Sequence, residues 1–199
     1  MPQEPPSPRA TVRYKGRGHY DRELIDEILD AASLCHLGIV QPDGAPLVLP
    51  TLYARDGDVV YFHGSPASRL LRTAKKDGIP VCFTVMHLDG YVMAKSAFHH
   101  SINYRSVVAF GDAVEVKDAA EKRRALELLV DHVHPGRSGE CRPPTDGELK
   151  ATIVLRLSLD EASAKVRTGP PLDDEEDLAL PYTAGVIPVT VTRGELVPS

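Results

Sequence analysis

Apolar positions along the chain recur first at helical and then at strand spacing. Leu24, Ile25, Ile28, Leu29 and Ala32 fall at 3.6-residue intervals. This predicts a helix beginning near Asp21, with Asp21 as N-cap and Tyr20 stapled onto Ile25. Residues 1–19 lack such periodicity and read as an arm, of the kind that orders on a partner surface. Strand-like runs and turn signals then alternate: Leu34–Val40, Pro42-Asp43-Gly44, Ala45–Ala54, Arg55-Asp56-Gly57-Asp58 and Val59–His63. Ser65 followed by Pro66 marks a helix start, and Leu70, Leu71 and Ala74 supply its buried stripe. Strand character returns over Ile79–His87 and Tyr91–Ala94, separated by Asp89-Gly90, and again over Ser106–Val116. Asp118 and Glu121 read as a capping box on an amphipathic helix reaching about Val133, with Leu126, Leu129, Val130 and Val133 in register. A Pro- and Gly-rich link from His134 to Pro144 leads to a short helix near Thr145–Thr152. Strands Ile153–Leu159 and Ser163–Thr168, an acidic run Asp173–Asp177 and a tail complete the chain.

Most consecutive strands are joined by turns rather than helices, which disfavours a doubly wound parallel sheet. A small antiparallel barrel with peripheral helices fits the pattern better. The chain has 199 residues, enough for one domain with its own core. Its formal net charge of −5 argues against a broad nucleic-acid-binding face. Three cysteines, Cys35, Cys82 and Cys141, show no CxxC spacing, so neither a disulfide framework nor a zinc site is expected. The Pro-rich, polar start is unlike a signal peptide, and no apolar run approaches membrane length. A cytoplasmic protein is the expectation.

Three segments could carry chemistry. In Phe62-His63-Gly64-Ser65-Pro66-Ala67-Ser68-Arg69 a strand ends and a helix begins with two hydroxyls and an arginine in its first turn. Free N–H groups and the positive dipole end suit a phosphate there, which Arg69 would grip with charge-assisted hydrogen bonds. Phe98-His99-His100-Ser101-Ile102-Asn103-Tyr104-Arg105-Ser106 is a dense polar stretch between apolar strands and reads as a binding loop. Lys165 and Arg167 alternate along a strand and so point to one face, able to grip an anion or to blunt an edge. Each segment also has a plain structural reading: a capped helix, a solvated loop, a charged edge. No metal-ligand motif, GxSxG elbow or GxGxxG fingerprint occurs.

Together these segments, with Leu49-Pro50-Thr51, Asn103–Val108, Phe110-Gly111, Lys165–Pro171 and Ala184–Pro188, resemble the pyridoxamine 5′-phosphate oxidase-like family. The nearest branch is that of the nitroimidazole-resistance reductases. The resemblance runs from about residue 10 to 190. It implies a mainly β fold, a six-stranded antiparallel Greek-key split barrel over residues 20–170. The arm 1–19 would precede it, and an extension 171–199 would pack on the barrel or on a dimer partner. It further implies a homodimer with FMN at the seam. Pro50 and Thr51 would lie beside the isoalloxazine, and Phe62, His63 and Gly64 on the neighbouring strand. Ser65, Ser68 and Arg69 would bind the phosphate. Tyr104, Arg105, Ser106 and Val107 would frame the site, with Lys165 and Arg167 reaching the flavin of the opposite subunit. Tyr182 stands where close relatives often carry Trp, and the substrate site of the name-giving oxidase has no clear equivalent. The implied activity is a flavin-dependent oxidoreduction of a small molecule, with NAD(P)H as a candidate electron donor and no nucleic acid or membrane as partner. The alternative is a non-enzymatic flavin-binding protein, or a haem-binding one using His99 or His100 as axial ligand.

Overall fold

The structure is a computed structural model that describes residues 4–64 and 78–198. Among these residues ten strands form a curled antiparallel sheet: β1 (Gly18–His19), β2 (Leu34–Val40), β3 (Pro46–Leu52), β4 (Ala54–Asp56), β5 (Val59–Gly64), β6 (Ile79–Met93), β7 (Ser101–Glu115), β8 (Ile153–Ser158), β9 (Ala162–Arg167) and β10 (Gly185–Pro188). The path runs β3-β2-β6-β7-β8-β5-β4, with β9 joining β7 to β1 and β10 added to β6. The fifteen-residue β7 changes partner along its length, pairing β9 at Tyr104–Ala109 and β8 at Val114 and Glu115. That exchange curls the sheet into a split barrel. Among the described residues three α-helices lie around it: α1 (Arg22–Ala31), α2 (Ala119–Val133) and α3 (Asp146–Ala151). The helix expected from Ser65 lies outside the described residues.

The interior face follows strand alternation. Cys35, Leu37, Ile39, Phe83, Val85, Val107 and Ala109 turn inward and join Ile25, Ile28 and Leu29 of α1 in one core. Each fully buried aliphatic or aromatic side chain contributes about 1.5–3 kcal/mol. Asp21 caps α1 as expected, its carboxylate accepting from Leu24 N–H at 3.0 Å. The other end of α1 leaves carbonyls without intrahelical donors. Side chains from three other segments meet them: Tyr53 donates to Leu29 O, while the rings of His87 and His132 bond Ile28 O and Ala32 O. His132 thereby ties the end of α2 to α1.

Several expectations need correction. Asp89-Gly90 does not break a strand, because β7 pairs with β6 on both sides of it and the register merely shifts between Leu88 and Gly90. This is a bulge, which absorbs an extra residue without ending the ladder. Gly90 is needed there, since a Cβ would sit 3.0 Å from Ile187 O of β10. The polar stretch read as a loop is strand from Ser101 onward, held by Tyr91 and Val92 opposite. Asp118 caps α2, but Glu121 does not reach back; its carboxylate binds Tyr61 and Arg156 instead. The reciprocal box is found at α3, between Thr145 and Glu148. The arm folds onto its own chain: Ala10 is buried, Arg9 lies over the Phe110 ring and pairs with Glu161, and Val12 N–H donates to the Tyr20 hydroxyl. Among the described residues no helix is long and apolar enough to cross a membrane.

Candidate functional site

The residues singled out in the sequence divide between two faces of the sheet. On β2 and β3, His36 stands opposite Pro50; across β6, β7 and β9 the same row continues through Thr84, Val108 and Ser163. A neighbouring row holds Met86, Ser106 and Lys165. Pro50, Ser106 and Lys165 therefore share the face opposite the core, and alternation along β7 puts Tyr104 there too. Lys165 Nζ lies 5.6 Å from the centroid of the Tyr104 ring, a cation–π distance. Ser106 Oγ donates to the Lys165 carbonyl at 3.3 Å.

The remaining residues stand differently. Thr51 falls on the core side of β3, level with Cys35, whose thiol reaches the Thr51 carbonyl at 3.5 Å. Burial pushes the Cys35 thiol up to about 12, so it stays protonated at neutral pH. Phe62 and Val107 are fully buried in the core, leaving only their backbone for a ligand. Arg105 forms a two-point pair with Asp89 at 3.0 and 3.1 Å. Arg167 is buried, its guanidinium donating to Asn103 Oδ1 and to the carbonyls of Gly169 and Pro170. Asp89 balances the charge of Arg105, whereas Arg167 directs its N–H donors to neutral acceptors. Ser65, Ser68 and Arg69 lie outside the described residues.

A second region was not anticipated. Tyr61 and His63 alternate with Phe62 along β5, so both point away from the core, toward α2. Tyr61 packs with Ala125, Val116 and Val154 and donates to Glu121 Oε1 at 3.0 Å. Burial first, and then the Glu121 contact, raise its hydroxyl to about 12. One step further along this face, His63 lines a cavity of about 570 Å³ between β5, α2 and the link to α3. Its walls are apolar, from Leu52, Leu126, Leu129, Val130 and Val133, and its rim carries His134, Arg137 and Arg142. The volume lies within the roughly 300–1,000 Å³ usual for small-molecule and cofactor sites. One signal in the sequence pointed here: the apolar stripe of α2 extends to Val130 and Val133, more than its core contact uses.

The rim is held by Glu148, whose carboxylate receives two bonds from Arg142, at 2.8 and 3.0 Å, and others from the Thr145 N–H and hydroxyl. The Arg142 guanidinium, and then Thr145, hold this carboxyl down at about 2, against an ordinary 4.5. A depressed folded value means the contribution to stability is complete above about 4.5 and is lost as pH falls toward 2. An NMR titration is expected to show a Glu148 midpoint near 2; a midpoint at 4.5 would contradict the contacts.

His99 and His100 are engaged elsewhere. The His99 ring lies 3.1 Å from Asp174 Oδ2, with Asp177 beside it, and the three donor atoms fall within 4.8 Å of one another. The His100 ring bonds the Ser96 carbonyl at 3.0 Å.

The fold agrees with the comparisons. The family model for pyridoxamine 5′-phosphate oxidase matches residues 21–166. The chain belongs to the pyridoxamine 5′-phosphate oxidase family. Among solved structures of similar shape, the flavocytochrome Anf3 from Azotobacter vinelandii is 45% identical, with a TM-score of 0.92, covering 99% of this chain and 91% of that one. The FAD and heme binding protein from Mycobacterium smegmatis is 38% identical, with a TM-score of 0.86, covering 92% and 89%. A candidate 5-nitroimidazole antibiotic resistance protein from Bacteroides thetaiotaomicron shares the fold at 23% identity and a TM-score of 0.63, over 75% and 86%. No match to a curated protein was found. In this member of the pyridoxamine 5′-phosphate oxidase family, the split barrel presents an outward sheet face and a cavity under α2.

Proposed function

We infer that this chain is a redox protein that binds a flavin on the outer face of its split barrel and a haem as second cofactor, and works as a homodimer. The observation that carries this reading is 45% identity to a flavocytochrome over 99% of the chain, seconded by the relative that binds FAD and heme. The sequence resemblance points to FMN as the flavin. The 38%-identical relative moves the choice to FAD.

The outer face suits a flavin: Pro50 and Tyr104 offer flat contact surface, and Lys165 offers a cation for an anionic group. Ser65, Ser68 and Arg69 follow directly on β5 and are the phosphate ligands that the family resemblance implies. Leu34, Val48 and Met86 are exposed on the same outer face, an apolar surface that a second copy would cover. The covering subunit would also exclude water from the flavin. When bound, the flavin supplies hydride and electron chemistry and the haem single-electron steps, while the protein positions both.

The purified protein is expected to show flavin absorption, to release FAD on denaturation, and to lose its flavin colour when NADH or NADPH donates electrons. Sedimentation is expected to give a dimer. A protein that takes up neither flavin nor haemin would sink the reading, and an FMN-loaded protein would return the choice to FMN.

A further inference from the structure

We propose that the cavity under α2 is the haem seat, with the His63 imidazole as an axial ligand of the iron and Arg137 as a partner for a propionate. The proposal rests on the flavin-and-haem reading above and names where the haem goes.

The ring of a haem is flat and apolar, its iron wants an imidazole, and its edge carries two carboxylates. The cavity offers matching features in the matching order. Its α2 wall is aliphatic apart from Glu127, and Val130 and Val133 remain 38% and 42% exposed, apolar surface on a helix whose other side is packed. His63 stands on the opposite wall, on a strand paired along its length with β8, from Val59–Ser158 to Gly64–Ile153. A strand-borne ligand with a fixed backbone holds a metal more rigidly than one on a loop. The β5 wall is pinned to α2 by Tyr61 and Glu121, and α2 to α1 by His132, so both sides of the slot are fixed before any ligand arrives.

Four of the other histidines already have partners, and His19 and His36 do not line the cavity. His87 and His132 are spent on carbonyls of α1, His99 on Asp174 and His100 on Ser96. Only His63 and His134 line the cavity, and His134 sits on the link beyond the last turn of α2. At the rim, Arg142 is held by two bonds to Glu148. Arg137 has a single 3.4 Å contact with the exposed Glu140, which a propionate can displace at little cost because exposed ion pairs are weak.

The test is haemin titration of the purified protein, followed in the Soret region, for wild type and for His63→Ala, His99→Ala, His100→Ala and Arg137→Ala. Wild type is expected to develop the Soret band of a histidine-ligated haem. His63→Ala is expected to shift that band and to weaken haemin retention at least tenfold, and added imidazole is expected to restore the wild-type position. Because His63 is exposed, the circular dichroism of this variant is expected to match wild type. Arg137→Ala is expected to weaken retention without moving the band, and His99→Ala and His100→Ala to match wild type. Wild type that takes up no haemin would defeat the haem reading itself. A wild-type Soret band with His63→Ala indistinguishable from it, or a band lost in His99→Ala or His100→Ala instead, would overturn only the placement.

Discussion

Replacing Phe83 by alanine is expected to destabilise the protein by about 3–5 kcal/mol, the range for emptying a fully buried aromatic site. Phe83 is completely buried at the middle of β6, on the row that runs through Leu49, Leu37, Ala109 and Ala162. The alanines on its β7 side leave the volume that its ring fills, so no larger neighbour on that side can relax into the void. Its ring also meets Tyr53 edge to face, with centroids 5.1 Å apart and planes at 84°. Such pairs add about 0.5–1.5 kcal/mol beyond burial. Tyr53 in turn holds the end of α1 through Leu29 O, so the loss should spread to α1. Against a typical total stability of about 5–15 kcal/mol, this is a large share. Urea unfolding followed by circular dichroism measures it. A loss below about 1 kcal/mol would show that the core can close around the gap.

Arg167→Met is expected to cost about 2–3 kcal/mol, although it keeps the length and apolar stem of the side chain. The guanidinium satisfies Asn103 Oδ1 and two backbone carbonyls at the start of the turn after β9. Methionine would leave the buried Asn103 Oδ1 without this donor, at about 1–3 kcal/mol for a buried acceptor without a partner, and would remove the bond to the Pro170 carbonyl, while Gly169 O keeps the Asn103 amide at 3.1 Å. Part of that loss is offset because the buried charge no longer has to be desolvated. Hydrogen exchange should then rise at Thr168 and Gly169 while the centre of β7 stays protected. If stability is unchanged and flavin affinity falls instead, Arg167 serves the ligand rather than the turn.

Much of the local structure was legible because it depends on neighbours in sequence. Asp21 as the cap of α1 and β2 at Leu34–Val40 follow from side-chain hydrogen bonding and periodicity alone. So does the short helix after Thr145, whose capping box spans four residues. Where the reading failed, a distant partner decided. Asp89-Gly90 has the chemistry of a turn, yet pairing with β7 on both flanks keeps the strand running through it. Glu121 has the spacing to close a box with Asp118, yet Tyr61, sixty residues away, claims it.

The candidate site divides along the same line. Tyr104, Ser106 and Lys165 stand out in the residue pattern and Pro50 through the family resemblance, and strand alternation brings them onto one face once the register is known. The sequence by itself determined Asp21, Asp118 and Thr145 as helix caps, most strands and the mainly antiparallel architecture. Tertiary structure alone decided that Arg167 is an internal clamp and that His63 faces an apolar cavity with α2 as its far wall. The reason is physical: capping and alternation act over a few residues, whereas a cavity exists only between surfaces that folding brings together from distant parts of the chain.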